Sequence, residues 1–208
     1  MKKYLIPLIL ILCLVVALTG FMADYTSQYP PSHNDTYVKA TEHYANYEPY
    51  NATDPTNSVT GSSYENAWTS NTAYEDMRFH IDLGSAKVIK RIYYENHHAS
   101  GSNTDYGVQN FTFWGSNTGA GSFDDLVYAN DDGWTQITTS QATFDEHTDA
   151  DEADPKYITV TNTTAYRYYA FKFADCYKGS GYMALRQVEL QTGYGVVKDN
   201  SIFFGMNF

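Results

Sequence analysis

The sequence is short of cysteine and of positive charge, and each shortage excludes a class of protein. Of its two cysteines, Cys13 lies in an apolar N-terminal run, so no disulfide framework can hold the folded part together. Cys176 is then predicted to be a small buried apolar residue. Lys and Arg number 13 against 24 Asp and Glu, a formal net charge of −11. Because such a surface repels phosphate backbones, we expect no nucleic-acid partner.

Helical periodicity and catalytic motifs are also missing. No long stretch after residue 25 keeps a helical period, and the chain carries 20 Tyr and 11 Phe among many Thr, Asn and Ser residues. This composition favours sheets joined by polar loops, so we predict an all-β protein. The sequence has no nucleophile elbow, zinc-binding His pair or glycine-rich phosphate loop. We therefore predict that the chain is not an enzyme.

The N-terminus has the pattern of an export signal. Lys2 and Lys3 precede an uncharged, mainly apolar run, so residues 1–23 are predicted to be a signal peptide or, if uncleaved, a membrane anchor. Either alternative predicts a secreted or cell-surface protein that touches a membrane only through this leader. Residues 24–35 are polar and contain two prolines, which is typical of a linker.

The middle of the chain alternates as half-buried strands do. In the run that begins at Met77, the apolar residues Met77, Phe79, Ile81 and Leu83 point one way, and Arg78, His80 and Asp82 point the other. Gly84 breaks the run and a second strand follows. After a polar loop a third strand returns and turns at Gly115-Ser116-Asn117.

These strands resemble a known family. Ile81-Asp82-Leu83-Gly84-Ser85 and Phe111-Thr112-Phe113-Trp114-Gly115-Ser116-Asn117 are similar to segments of the discoidin or coagulation-factor type C family, as are residues 164–173 and 181–191. The resemblance implies a galactose-binding-like jelly-roll β-sandwich over residues 36–192. It also implies a module that binds carbohydrate.

The resemblance further implies a structural Ca²⁺ between the first loop and the last strand. Asp54 and Glu189 match the carboxylates of that site, and Asn51 and Asn57 could add oxygen ligands of the kind that calcium prefers. The alternative is that Asp54 forms an Asx-turn before Pro55 and that Glu189 is solvated.

A glycan site is expected on loops at one end of the sandwich, because sugars are held by aromatic faces and a few oriented polar groups. The candidates are Trp68, Asn96, His97, His98, Tyr177, Lys178 and Tyr182. For each of them the alternative is ordinary packing or surface exposure. Where galactose-binding relatives have a His before the Asp-Leu-Gly strand this chain has Met77, which argues against galactose itself.

The C-terminal tail, residues 193–208, ends in an alternating strand-like pattern that includes Ile202, Phe204, Met206 and Phe208. It could pack on the sandwich or add to the sheet edge of a neighbouring chain and form a homo-oligomer. The leading hypothesis is an exported, non-catalytic carbohydrate-binding module that recognises a glycan. The alternative is a structural subunit of a surface layer, filament or virion, assembled through this strand.

Overall fold

The computed structural model describes residues 24–193, and strands are the main regular secondary structure of these residues. The strands are β1 Tyr25–Gln28, β2 Val38–Ala40, β3 Trp68–Thr69, β4 Met77–Lys87, β5 Ile89–Asn96, β6 Phe111–Ser116, β7 Thr135–Thr139, β8 Lys156–Thr161, β9 Tyr166–Phe173 and β10 Ala184–Gly193. A short helix, α1, spans Ala120–Asp124, and single 3₁₀ turns lie at Pro49–Thr53 and Thr104–Tyr106. None of the helices in this part of the chain has the length and apolar character needed to span a membrane.

The strands form two antiparallel layers. The first sheet contains β1, β3, β5, β8 and β10, and the second contains β2, β4, β6, β7 and β9. A short pairing of β7 with β8 joins the two layers into one curled sheet. The all-β jelly-roll sandwich expected from the sequence is confirmed.

Aromatic side chains fill the space between the layers. Trp68, from the first sheet, stacks on Phe173 of the second sheet with ring centroids 5.8 Å apart. It also meets Phe79 edge to face at 5.3 Å. All three rings are fully buried, and such rings remove large apolar areas from water. Cys176 is buried at the margin of this core with its thiol free, as expected.

Strand β4 is buried on both faces, whereas the sequence predicted a half-buried strand. Arg78, His80 and Asp82 do point away from the main core, but each is buried. The connection between β6 and β7, which carries α1, covers Arg78 and His80, and Arg167 of β9 pairs with Asp82. Phe123 from this connection forms a small second core with Trp134 and strand β9. The prediction was wrong because alternation reports which way side chains point and not what packs over them.

The linker prediction for residues 24–35 was wrong at its start. Tyr25–Gln28 is strand β1, and it pairs with the end of β10. The ring of Tyr25 lies 3.7 Å from the guanidinium of Arg91, and Ser27 donates a hydrogen bond to Glu189. These polar contacts order a segment that has no apolar periodicity. The leader, residues 1–23, and residues 194–208 of the tail lie outside the described residues.

Candidate functional site

A cavity of about 270 Å³ opens at one end of the sandwich. It is lined by Tyr44, Tyr47, Ser63, Thr69, Ser70, Asn71, His97 and Tyr182. These residues come from five chain segments, since the loops before β3, after β3, after β5 and before β10 meet around the short strand β3. Concave surfaces with aromatic walls and a few polar groups are the usual setting of small-ligand sites.

Backbone hydrogen bonds fix one wall of the cavity. The N–H of Tyr44 donates to the carbonyl of Thr69 at 2.9 Å, and the N–H of Thr69 donates to the carbonyl of Tyr47 at 3.3 Å. Thr69 also pairs with Ala184 of β10. The two tyrosines are therefore tied to the sheet, although the loop that carries them has no regular structure.

A single carboxylate holds the turn that follows β3. Oε1 of Glu42 accepts three successive backbone N–H groups at 2.8–2.9 Å, those of Asn71, Thr72 and Ala73. This pattern satisfies the donors of a tight turn in the way that an N-cap satisfies the start of a helix. It places Asn71, whose side chain is exposed, at the rim of the cavity.

The opposite wall is the half-buried ring of Tyr182. This ring stacks on Tyr106 with centroids 3.8 Å apart and planes 4° from parallel. The ammonium of Lys178 lies 3.8 Å from the centre of the Tyr106 ring and 3.4 Å from a carboxylate oxygen of Asp105. Tyr182 is thus held by a stacked partner, with a cation–π contact at that partner.

Two buried polar atoms at this cavity have no hydrogen-bond partner. They are Oγ1 of Thr69 and Nδ1 of His97, and within residues 24–193 they are the only buried side-chain nitrogen or oxygen atoms left unpaired. His97 is 2% exposed, and burial lowers its pKa to about 3, with the nearby Arg186 charge acting in the same direction. The ring is therefore neutral at ordinary pH and carries one donor and one acceptor nitrogen.

Two of the seven predicted glycan residues, His97 and Tyr182, line this cavity together. Three others are buried and serve the fold. Trp68 is fully buried, and its indole N–H donates to the carbonyl of Glu42. The amide of Asn96 donates to the carbonyl of Val108 at 2.8 Å. These two predictions were wrong because a residue that is buried and hydrogen-bonded in this way cannot face a sugar.

His98 is the third buried candidate. Its Nδ1 accepts the N–H of Gly101 at 3.0 Å, so Nε2 carries the proton and donates to the carbonyl of Val59 at 2.7 Å. The ring also stacks on His147 with centroids 4.0 Å apart. Both nitrogens are occupied, and burial lowers its pKa. His98 is a structural residue, which corrects its assignment to the glycan site.

Tyr177 and Lys178 do not line the cavity. The hydroxyl of Tyr177 donates to the carbonyl of Phe144 at 2.6 Å, and Lys178 lies behind Tyr106 as described above. The residues that the sequence analysis missed are Tyr44, Tyr47, Ser63, Thr69, Ser70 and Asn71. The only signal for these residues in the sequence was that Thr69 follows the core residue Trp68. A small polar residue at that position ends the strand at the rim of the sandwich.

The predicted calcium ligands of the first loop already have protein partners. Oδ1 of Asp54 accepts the N–H and the hydroxyl of Thr56 at 2.9 and 2.7 Å, which makes the Asx-turn that was the alternative. The amide of Asn57 donates to the carbonyl of Asn51 at 3.0 Å, and the amide of Asn51 donates to the carbonyl of Asn46 at 2.9 Å. These two bonds use the amide N–H groups, so they occupy the backbone carbonyls of Asn51 and Asn46 and not the side-chain oxygens of Asn51 and Asn57.

Glu189, the ligand predicted from the last strand, is also engaged. Its two carboxylate oxygens accept hydrogen bonds from the hydroxyls of Ser27 and Tyr29, the latter at 3.0 Å. No three His, Cys, Asp or Glu side chains within residues 24–193 converge as metal ligands. The two predicted carboxylate ligands, Asp54 and Glu189, are thus engaged by protein donors, and the calcium site stays a prediction.

Several solved structures share the fold. The family 32 carbohydrate-binding module of C. perfringens NanJ, solved in complex with galactose, matches with a TM-score of 0.55 and 12% identity over 81% of this chain and 100% of that one. Chitosan-binding module 1 from a Paenibacillus sp. IK-5 chitosanase/glucanase matches with a TM-score of 0.51 and 19% identity, over 81% and 100%. A truncated AlyQ with family 32 and alginate lyase domains matches with a TM-score of 0.53 and 17% identity, over 83% of this chain and 34% of that one. No protein-family model and no curated protein matches the chain.

At these identities the likeness shows the fold. The chain has the galactose-binding-like jelly-roll fold that family 32 carbohydrate-binding modules have, so the fold that the resemblance implied is confirmed. Two of the matching chains are isolated binding modules, while AlyQ carries its module beside an enzyme domain.

Proposed function

We propose that this protein is an exported, non-catalytic module that binds a glycan in the cavity between Tyr44, Tyr47 and Tyr182. The cavity lies among loops at one end of the sandwich, which is where the sequence analysis expected a sugar. The aromatic rings offer faces for the C–H side of a pyranose, and Thr69, Asn71 and His97 offer groups for its hydroxyls.

The observation that carries the proposal is the pair of unpaired buried atoms, Oγ1 of Thr69 and Nδ1 of His97. A buried polar atom without a partner costs about 1–3 kcal/mol, so native proteins rarely keep one. Both atoms belong to residues that line the cavity, so a bound molecule supplies their partners once each side chain turns its buried atom toward it. A sugar hydroxyl fits both because it donates and accepts.

The lining also favours one class of glycan, a neutral one. None of the eight lining residues is Asp, Glu, Lys or Arg, and His97 is neutral. A charged sugar would lose hydration there without gaining a counter-charge, so a neutral glycan is the expected ligand. Most glycosidases hydrolyse the glycosidic bond with a pair of carboxylates, and none of the eight lining residues is one, which supports a binding role rather than an enzymatic one.

Export rests on the leader, which lies outside the described residues. The experiment is to express the full chain in a secreting host and to sequence the N-terminus of the product. Recovery from the medium or the cell surface, with residues 1–23 removed or retained as an anchor, is the expected result. A product that stays inside the cell with its leader intact would overturn this part of the proposal.

Glycan binding is tested by a glycan array followed by titration calorimetry on the best ligand. We expect Tyr182→Ala and His97→Ala each to weaken binding by about tenfold or more, which corresponds to about 1.4 kcal/mol. Tyr157→Ala is the matched control, because Tyr157 is 50% exposed on the first sheet and does not line the cavity. It should bind as the unaltered protein does.

Two results would overturn the assignment. One is a protein that binds no neutral glycan even at millimolar concentration. The other is a ligand whose affinity falls as much in Tyr157→Ala as in the two cavity variants, since that would place the site on the outer face of the first sheet.

A further inference from the structure

The guanidinium of Arg186 is buried where β10 meets the loop of residues 58–61. Arg186 is 1% exposed. Its Nε donates to the carbonyl of Ser58 at 3.2 Å and its Nη1 to the carbonyl of His98 at 3.1 Å. Its Nη2 donates to the carbonyls of Thr60 and Gly61. Four backbone carbonyl oxygens from two loops thus converge on one positive charge.

No carboxylate neutralises that charge at close range. Within residues 24–193 Arg186 takes part in no ion pair. Burial lowers its pKa to about 10, against the smaller opposite effects of Asp151 and Glu95, so it stays charged at neutral pH. A ring of backbone carbonyls around a buried cation is the arrangement with which proteins hold hard metal ions.

The four carbonyls also border the cavity. Ser63 lies two residues beyond Gly61 and lines the cavity, and His97 precedes His98 and carries the unpaired nitrogen. The loop is also held by hydrogen bonds from the N–H of Gly61 to Asp151, from the N–H of Ser100 to the carbonyl of Gly61 and from Nε2 of His98 to the carbonyl of Val59. Whatever holds these carbonyls therefore holds one wall of the cavity.

We propose that the Arg186 guanidinium serves as a built-in cation that fixes the loop of residues 58–61 against the last strand, so that the fold and its cavity need no calcium there. Arg186 is a positioning residue, since it does not line the cavity itself. Two of the predicted calcium ligands, Asp54 and Glu189, agree with this role, because their carboxylates accept hydrogen bonds from protein groups. The role of Arg186 in holding the loop does not depend on the proposed function. Only its consequence for ligand affinity does.

The first experiment measures metal dependence. The protein is treated with chelator, and its melting temperature and its calcium uptake are followed as calcium is added to millimolar concentration. We expect no change in melting temperature and no stoichiometric uptake, because a ligand stabilises a fold only if it binds the native state. A rise in melting temperature with calcium, or uptake of one ion per chain, would overturn the proposal.

The second experiment alters the cation. Arg186→Lys keeps the charge but offers a compact ammonium with three donors in place of a planar fork, so it cannot bond all four carbonyls. Backbone amides of residues 58–61 and Ser100 should exchange with solvent at least tenfold faster in this variant. Arg186→Gln, which removes the charge, should show a larger effect if it folds.

Arg78→Lys is the matched control. Arg78 is a buried arginine on the second sheet that holds a different loop, through the carbonyl of Val127 at 2.9 Å and the carboxylate of Asp131. Its variant should speed exchange at residues 127–131 and leave residues 58–61 and glycan affinity unchanged. Exchange at residues 58–61 that is the same in Arg186→Lys as in the unaltered protein would overturn the proposal, whatever the glycan experiments show.

Discussion

His80 and His97 are both buried histidines with depressed pKa values, yet they differ in one respect. His80 lies under the connection between β6 and β7, where its Nδ1 meets the carbonyl of Phe123 at 2.8 Å and its ring packs on Trp134 at 4.7 Å. His97 borders the cavity, and its Nδ1 meets no partner. The His80 ring thus has its hydrogen-bond partner within the protein, whereas Nδ1 of His97 has none.

The same contrast extends to the surroundings of the two histidines. Beneath the connection, the buried guanidinium of Arg78 and the ammonium of Lys172 share the carboxylate of Asp131. At the cavity, Thr69 is buried with a free hydroxyl oxygen. Burial and a shifted pKa are therefore poor markers of a site by themselves. The missing partner is what distinguishes His97 from His80.

The largest predicted effect is a pH dependence of the free energy of unfolding, to which both histidines contribute. Burial lowers the pKa of His80 to about 4 and that of His97 to about 3, whereas an unfolded His titrates near 6.5. Between these values the unfolded chain binds protons that the native protein does not. The free energy of unfolding should therefore decrease as the pH is lowered below 6.5, by as much as about 1.4 kcal/mol per pH unit for each histidine. Chemical denaturation at a series of pH values measures this slope.

His80→Gln sharpens this test, because it removes one of the titrating rings. The variant should show a shallower slope between pH 6.5 and 4 than the unaltered protein does. Equal slopes in the two proteins would mean that His80 is not held neutral by the fold. Glycan affinity should stay constant from pH 8 to pH 5, since His97 remains neutral throughout that range.

The next effect separates the two histidines. His80→Ala removes a packed ring and leaves the carbonyl of Phe123 unpaired, so it should lower the free energy of unfolding by about 2–4 kcal/mol. Its glycan affinity should not change. His97→Ala should do the opposite, with a clear loss of affinity and a smaller loss of stability, because no hydrogen bond of Nδ1 is broken. The reverse result would erase the distinction on which the site is assigned.

The fold could be predicted from the sequence to a large extent, because strand alternation and turn residues are local signals. The run from Met77 to Leu83 showed which residues face the core, and the order of the segments around Gly84 and Trp114 indicated the sandwich. Strand β1 could not be predicted, since its order comes from contacts with Arg91 and Glu189, which lie far away in the sequence.

The site was harder to predict because burial is set by tertiary packing. Trp68 and His98 are residue types common in sugar sites, and both proved to be buried with other partners. Of the predicted residues, His97 and Tyr182 line the cavity, but Tyr44 and Tyr47, which also line it, were not predicted. That wall exists because Thr69 pairs with the loop before it, and no local pattern reports such a contact.

A smaller effect should arise behind the cavity. Tyr106→Ala removes the ring on which Tyr182 stacks, so Tyr182 should lose its fixed orientation. Stacked aromatic pairs contribute about 0.5–1.5 kcal/mol, so we expect affinity to fall by roughly three- to tenfold. Tyr106→Phe keeps the ring and should bind normally. A Phe variant as weak as the Ala variant would show that the hydroxyl, rather than the stacking, matters.

The smallest effect concerns Lys178, which the sequence analysis placed among the glycan-binding residues. Its ammonium lies by Tyr106 and Asp105 and does not line the cavity. Lys178→Gln removes an exposed charge that is screened by solvent, so affinity for a neutral glycan should change by less than about twofold. Titration of the same glycan into the variant and the unaltered protein, at low and at high salt, measures this change in affinity. A tenfold loss of glycan affinity in Lys178→Gln, matched by an equal loss when salt is added to the unaltered protein, would instead place Lys178 in the site. It would also argue for an anionic sugar.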